Sequence, residues 1–222
     1  PWATAEKGQW FDPEIASLAI DFFPECLCHV EGALAGQPFN LEPWQKAIVG
    51  NLYGWRQLDS GGRSVRRYRE VLLYCPRKQG KTPLAAGIGL AVFTLDREEG
   101  QQDYIAAADR DQAGMLFRQV SGMVERSPEL SGMYRVYGGH GGGAGQSKSL
   151  VKRNDTRSFL RVISADASSK HGGTSHLVLI DELHAQKNRE LVDVMRTSMA
   201  SANRIQPLLI YLTTADYERE SI

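Results

Sequence analysis

Two segments constrain this chain more than anything else in it: Cys75-Pro-Arg-Lys-Gln-Gly-Lys-Thr82 and, in the second half, Leu177-Val-Leu-Ile-Asp-Glu182. The first fits the phosphate-loop pattern G-x-x-x-x-G-K-[ST] at Gly80, Lys81 and Thr82, with Cys75 where the leading glycine would stand. The second is a continuous apolar run that ends in two carboxylates. Each is weak alone, since lysine-bearing turns and pairs of helix-capping acids are common. In this order and together they specify a sheet whose strand ends hold a nucleoside triphosphate with Mg²⁺.

The surroundings supply the context that a phosphate loop needs. Val71-Leu-Leu-Tyr-Cys75 reads as a short buried parallel strand. Leu84–Phe93 reads as a buried helix, weakened by Gly87 and Gly89. Strand, tight loop and helix present the backbone N–H groups around Lys78, Gln79 and Gly80, and the positive helix end, to phosphate oxygens. Lys81 is placed to reach the β- and γ-phosphates and Thr82 to ligate Mg²⁺. Pro83 stands just inside the helix, where a missing N–H costs nothing. Asp181 emerges at the carboxyl end of a strand, where open α/β sheets bind ligands. It can hold Mg²⁺ through water, and Glu182 can polarise an attacking water.

Elsewhere the pattern predicts helices over residues 13–23, 43–53, 110–125 and 188–199, and strands over 103–108, 159–164, 177–180 and 207–213. Strands alternating with helices imply a mainly parallel sheet covered on both faces. The expected fold class is therefore α/β: a P-loop NTPase of the additional-strand, catalytic-glutamate type, with helices flanking the sheet. Residues 1–40 are expected to form an N-terminal extension and 41–222 the ATPase domain. The glycine-rich segment 138–145 lacks a strand before and a helix after it, so it is no dinucleotide fingerprint.

Composition narrows the partners little. Lys+Arg and Asp+Glu are both 26, so net charge selects no partner. The basic residues cluster, however, at Arg63, Arg66, Arg67 and Arg69 and, more loosely, at Lys148, Lys152, Arg153 and Arg157. Either group could meet a phosphate backbone or be a solvated hairpin or loop. Cys26, Cys28 and Cys75 offer neither a disulfide framework nor a four-ligand zinc set. No signal peptide or membrane-spanning run is legible, and no membrane partner is expected.

At this point the chain resembles a known family, the large terminase subunits of tailed bacteriophages, in their ATPase domain. The resemblance rests on Pro43-Trp44-Gln45, Pro76–Thr82, Ser164-Ala-Asp-Ala-Ser-Ser-Lys-His-Gly172, Leu179-Ile-Asp-Glu-Leu-His184 and Leu212-Thr-Thr-Ala215. These pieces span residues 43–215 in the family's order, and the loop departs from the standard pattern as terminases do. The resemblance implies an ATPase motor that packs double-stranded DNA into a procapsid. It would work as a homo-oligomeric ring on the portal protein, with a small terminase subunit as further partner, in the host cytoplasm; the isolated domain could be a monomer. It implies that Gln45 reads adenine with Trp44 beside it, and that Arg77 touches the γ-phosphate or orients Glu182. Thr213, Thr214 and Ala215 would form the coupling motif. A neighbour's cation would complete the site, with Lys170 the candidate and His171, Arg161 and Arg196 as alternatives. Family members carry a C-terminal nuclease domain beyond the coupling motif, so nuclease activity is not expected of these residues.

Two other readings compete. Asp181-Glu-Leu-His184 also fits the D-E-x-H box of a superfamily 2 helicase, although a helicase cleft needs two lobes. A nucleotide-gated switch that binds ATP without turnover would have no use for Glu182.

Overall fold

The computed structural model describes residues 5–107, 110–138, 147–155, 157–164, 173–185, 189–200 and 204–214. The chain divides into two compact units, residues 1–69 and 70–222.

In the first unit, α1 (Pro13–Cys26) begins at Asp12, whose side chain accepts from the N–H groups of Glu14 and Ile15, with Pro13 at the first helical position. That start is favourable because early helix N–H groups have no partner within the helix. α2 (Pro43–Gly54) packs against α1. Beside them lie three short antiparallel strands, β1 (Gln9–Phe11), β2 (Trp55–Leu58) and β3 (Ser64–Arg66). Gly54 joins α2 to β2 where any Cβ would stand 2.5 Å from the Phe11 ring.

The second unit is built on a sheet of seven strands among the described residues. In chain order they are β4 (Glu70–Cys75), β5 (Gln102–Ala107), β6 (Tyr134–Tyr137), β7 (Ser149–Lys152), β8 (Phe159–Ser164), β9 (Leu177–Ile180) and β10 (Leu208–Thr214). Their spatial order is β4-β10-β9-β5-β8-β7-β6, parallel from β4 to β8, with β7 antiparallel to both of its neighbours. The helices are α3 (Lys81–Leu95), α4 (Arg110–Arg126), α5 (Pro128–Met133) and α6 (Glu190–Met199). β9 is buried at every residue, as a strand covered on both faces must be. α3 lies so close to it that a Cβ on Gly89 would stand 3.0 Å from Leu179 Cδ1. Gly89, one of the two glycines that weaken the helix, is thus what lets it approach the sheet. On another part of the sheet, Leu191, Val192 and Met195 of α6 pack with Tyr104, Val178, Ile180 and Leu209.

The amino-terminal ends of β5 and β9 are joined by a buried polar cluster. His176 Nε2 lies 2.7 Å from Asp96 Oδ2 and its Nδ1 2.7 Å from Glu98 Oε2. Arg204 pairs with Glu98 at 2.9 Å and donates to the carbonyls of Thr174 and Gly100. Asp103 accepts from Leu177 N and Gln101 Nε2. Burial alone would lower the His176 pKa, but the two carboxylates outweigh it and raise it to about 9.

The parallel, helix-covered α/β sheet is as the sequence predicts. What it does not reveal is β1–β3 and the β6–β7 pair. These strands are three or four residues long, too short for alternation to stand out, and three carry arginine. The turn at Asp59-Ser-Gly-Gly62 was the available hairpin signal. The start of the 188–199 helix at Asn188 lies outside the described residues.

Candidate active site

The loop after β4 closes onto the first turn of α3. Lys78 and Gly80 have φ of 65° and 73°, left-handed conformations that turn successive N–H groups towards one side. Gly80 precedes α3 and no side chain caps the helix there, so the first-turn amides remain available to an anion. Lys81 is the first residue of α3 and its side chain is only 7% exposed. Cys75, in the place of the leading glycine, ends β4; burial raises its thiol pKa against the opposing pull of Lys81, which disfavours a reactive thiolate.

Opposite the loop, β9 delivers Asp181 and Glu182. Asp181 N donates to Ala106 O, continuing the ladder between β9 and β5, and its Oδ1 accepts from Glu182 N at 2.9 Å. Burial pushes the Asp181 carboxyl up; the Lys81 ammonium pulls it down and the Glu182 charge adds to the rise. Glu182 Oε1 lies 3.1 Å from Lys81 Nζ. Thr214, at the end of β10, places Oγ1 3.5 Å from Glu182 Oε2. These groups share an open cleft of about 520 Å³ lined by Arg77, Lys78, Gly80, Lys81, Thr82, Asp181, Glu182, His184 and Thr214. A larger cavity of about 620 Å³ sits at the other end of β5 and β8, among Arg97, Glu98, Lys152, Arg153, Asp155 and Arg157. It has neither a phosphate loop nor the carboxyl end of a parallel strand, so the smaller cleft is the candidate active site.

The other candidates fall as follows. Gln45 is buried at the third position of α2, where its Oε1 accepts the Glu42 N–H at 2.9 Å; Trp44 is partly exposed. Lys170, His171 and Ala215 lie outside the described residues. Arg196 is paired through two nitrogens with Glu70, and Arg161 stacks 4.4 Å from the Phe159 ring. Both therefore have structural partners. So does the first arginine cluster: Arg63 pairs with Asp59 across the β2–β3 turn, and Arg66 is wholly buried beside Tyr53. Among the described residues no group of three or more His, Cys, Asp and Glu could hold a metal, and no helix is long and apolar enough to cross a membrane. Sequence reasoning missed the part played by His184, whose Nδ1 lies 3.2 Å from Glu182 Oε2 and 3.1 Å from Thr213 Oγ1. The D-E-x-H string was its only trace.

Comparison with known proteins agrees with this geometry. A family model described as the ATPase domain of the terminase large subunit matches residues 43–222. The large terminase subunit of Enterobacteria phage HK97 is 28% identical over 196 residues, which cover 86% of this chain and 35% of that protein. This chain thus spans about a third of that relative's length. The crystal structure of the HK97 bacteriophage large terminase superposes with a TM-score of 0.69 at 24% identity, over 89% of this chain and 37% of that one. That likeness speaks to the fold, an α/β P-loop NTPase. The family match favours the packaging ATPase over the helicase lobe.

Proposed function

The chain belongs to the family of terminase large-subunit ATPase domains, and from that premise we propose that it is the motor part of a packaging machine. In this reading it couples ATP hydrolysis to movement of double-stranded DNA into a procapsid. The observation that carries the reading is the meeting of Lys81, Asp181 and Glu182 in one cleft at the carboxyl ends of β4 and β9.

The roles follow from chemistry. The amides of Lys78, Gln79 and Gly80 and the start of α3 cradle the phosphates, with Lys81 on the β- and γ-groups. Thr82 and Asp181 are hard oxygen donors lining the same cleft, a set that suits Mg²⁺ better than a softer metal. Bound there, Mg²⁺ would neutralise charge on the phosphates. Glu182 orients and deprotonates the attacking water once Lys81 turns to the nucleotide. Arg77, on the same cleft, touches the γ-phosphate or steers Glu182. Lys170 is the candidate cation donated by a neighbouring copy, and Thr213, Thr214 and Ala215 couple the γ-phosphate to β10. For the base, Gln45 reads adenine, with Trp44 alongside. Portal protein, small terminase subunit, a ring of copies and the host cytoplasm complete the reading by family.

The test uses the full-length protein. Glu182→Gln is expected to retain ATP binding and to lose about a hundredfold or more of turnover. With it should go ATP-driven displacement of a third strand from linear duplex DNA. Wild-type protein that hydrolyses ATP but never displaces the third strand would remove the motor and leave the ATPase.

A further inference from the structure

Glu182 has φ of 48°, a left-handed conformation in which a side chain crowds its own backbone. Such a conformation persists at a functional site only when the surroundings hold it. Here the carboxylate is held from three sides, by Lys81 Nζ on Oε1 and by His184 Nδ1 and Thr214 Oγ1 on Oε2. Lys81 and Thr214 already have roles in the reading above. His184 has none.

It sits in a 3₁₀ turn, Leu183–Ala185, immediately after the glutamate. Its Nδ1 stands 3.2 Å from Glu182 Oε2, close enough for an imidazolium to pair with the carboxylate. The same nitrogen lies 3.1 Å from Thr213 Oγ1. The ring is thus hydrogen-bonded to a hydroxyl near the end of β10 and stands against the Glu182 carboxylate.

We infer that His184 is a positioning residue that, anchored on Thr213 of β10, aims the Glu182 carboxylate. The inference rests on the ATPase reading and deepens it. The hydrogen bond to Thr213 fixes the imidazole, and the fixed ring, 3.2 Å from Oε2, limits the directions in which the Glu182 carboxylate can point.

The imidazole atom that matters is Nδ1, and this makes the inference sharp. Asparagine places its amide nitrogen near the Nδ1 position, whereas glutamine places its own near Nε2. His184→Ala is expected to lower kcat about tenfold to a hundredfold, the range for a misaimed catalytic group. The KM for ATP and the affinity for a fluorescent ATP analogue should stay within about twofold, because the lost interaction serves the transition state. His184→Asn should recover most of the lost rate, and His184→Gln should not. Adding Thr213→Val to His184→Ala should cost little more than either change alone, since the two residues act as one unit.

Equal rates in the Asn and Gln variants would overturn the inference, because a packing role makes no distinction between the two nitrogens. So would an unchanged kcat in His184→Ala, or a loss confined to KM. If the alanine variant fails to fold, as thermal melting would reveal, the Asn and Gln pair decides alone. Wild-type protein that neither binds nor hydrolyses ATP would instead sink the ATPase reading itself.

Discussion

The Oε1 of Gln45 accepts the N–H of Glu42, so this residue already closes the start of α2 before any nucleotide is considered. Its Oε1 has a second lone pair and its amide nitrogen is a donor, the pair of functions that meets the N6 and N7 edge of adenine. The two duties separate cleanly. Gln45→Glu keeps the acceptor that a capping box requires and loses the donor. The melting temperature should therefore hardly move, while preference for ATP over GTP falls about tenfold or more; nucleotide competition and thermal melting on the same samples check both. A variant that melts earlier with its base preference intact would leave Gln45 a helix cap only. At this scale the sequence was legible where chemistry demands a particular residue at a particular spacing, as at Lys81, Thr82, Asp181 and Glu182. It was opaque where a side chain's partner is distant in the chain. Arg66 looks like a nucleic-acid contact in a basic run and is wholly buried. His184 looks incidental until β10 brings Thr213 to within 3.1 Å.

Among the elements, α3 owes its form to tertiary contact more than to propensity. Gly87 and Gly89 each cost a free helix up to about 1 kcal/mol relative to alanine, yet the helix runs unbroken from Lys81 to Leu95 because nearly all of it is buried. Gly89 faces Leu179 of β9, the strand that carries Asp181 and Glu182. Gly89→Val should therefore act as a wedge between the phosphate-loop helix and the acid-bearing strand. Expected is a loss of about 1–3 kcal/mol by urea unfolding, with weaker ATP binding in the fraction that folds. An unchanged midpoint would mean that α3 can shift from β9 freely. Periodicity exposed the long elements, since both helices and doubly buried strands leave clear patterns. It could not expose four-residue strands such as β6 and β7, where a single alternation is no signal. Nor could it order the strands, because β10 comes last in the chain and lies second in the sheet.

For the molecule as a whole, the cluster at the amino-terminal strand ends predicts how stability responds to pH. A histidine in the unfolded chain titrates near 6.5, while His176 between Asp96 and Glu98 is raised to about 9. The folded state therefore holds its proton across an interval in which the unfolded chain releases it. The stabilisation is complete below about pH 6.5 and is lost as pH rises through about 9, by up to ~3 kcal/mol. Urea midpoints followed over that interval should fall in the wild type and stay nearly flat in His176→Gln. A wild-type midpoint that does not fall would mean that the histidine is neutral in the fold. At the opposite ends of the strands, β10 is hydrogen-bonded over six residue pairs to β4 and over four to β9. It is thus the keystone between the strand that leads to the phosphate loop and the strand that ends in the two acids. A ligand that draws those two ends together squeezes the stone between them.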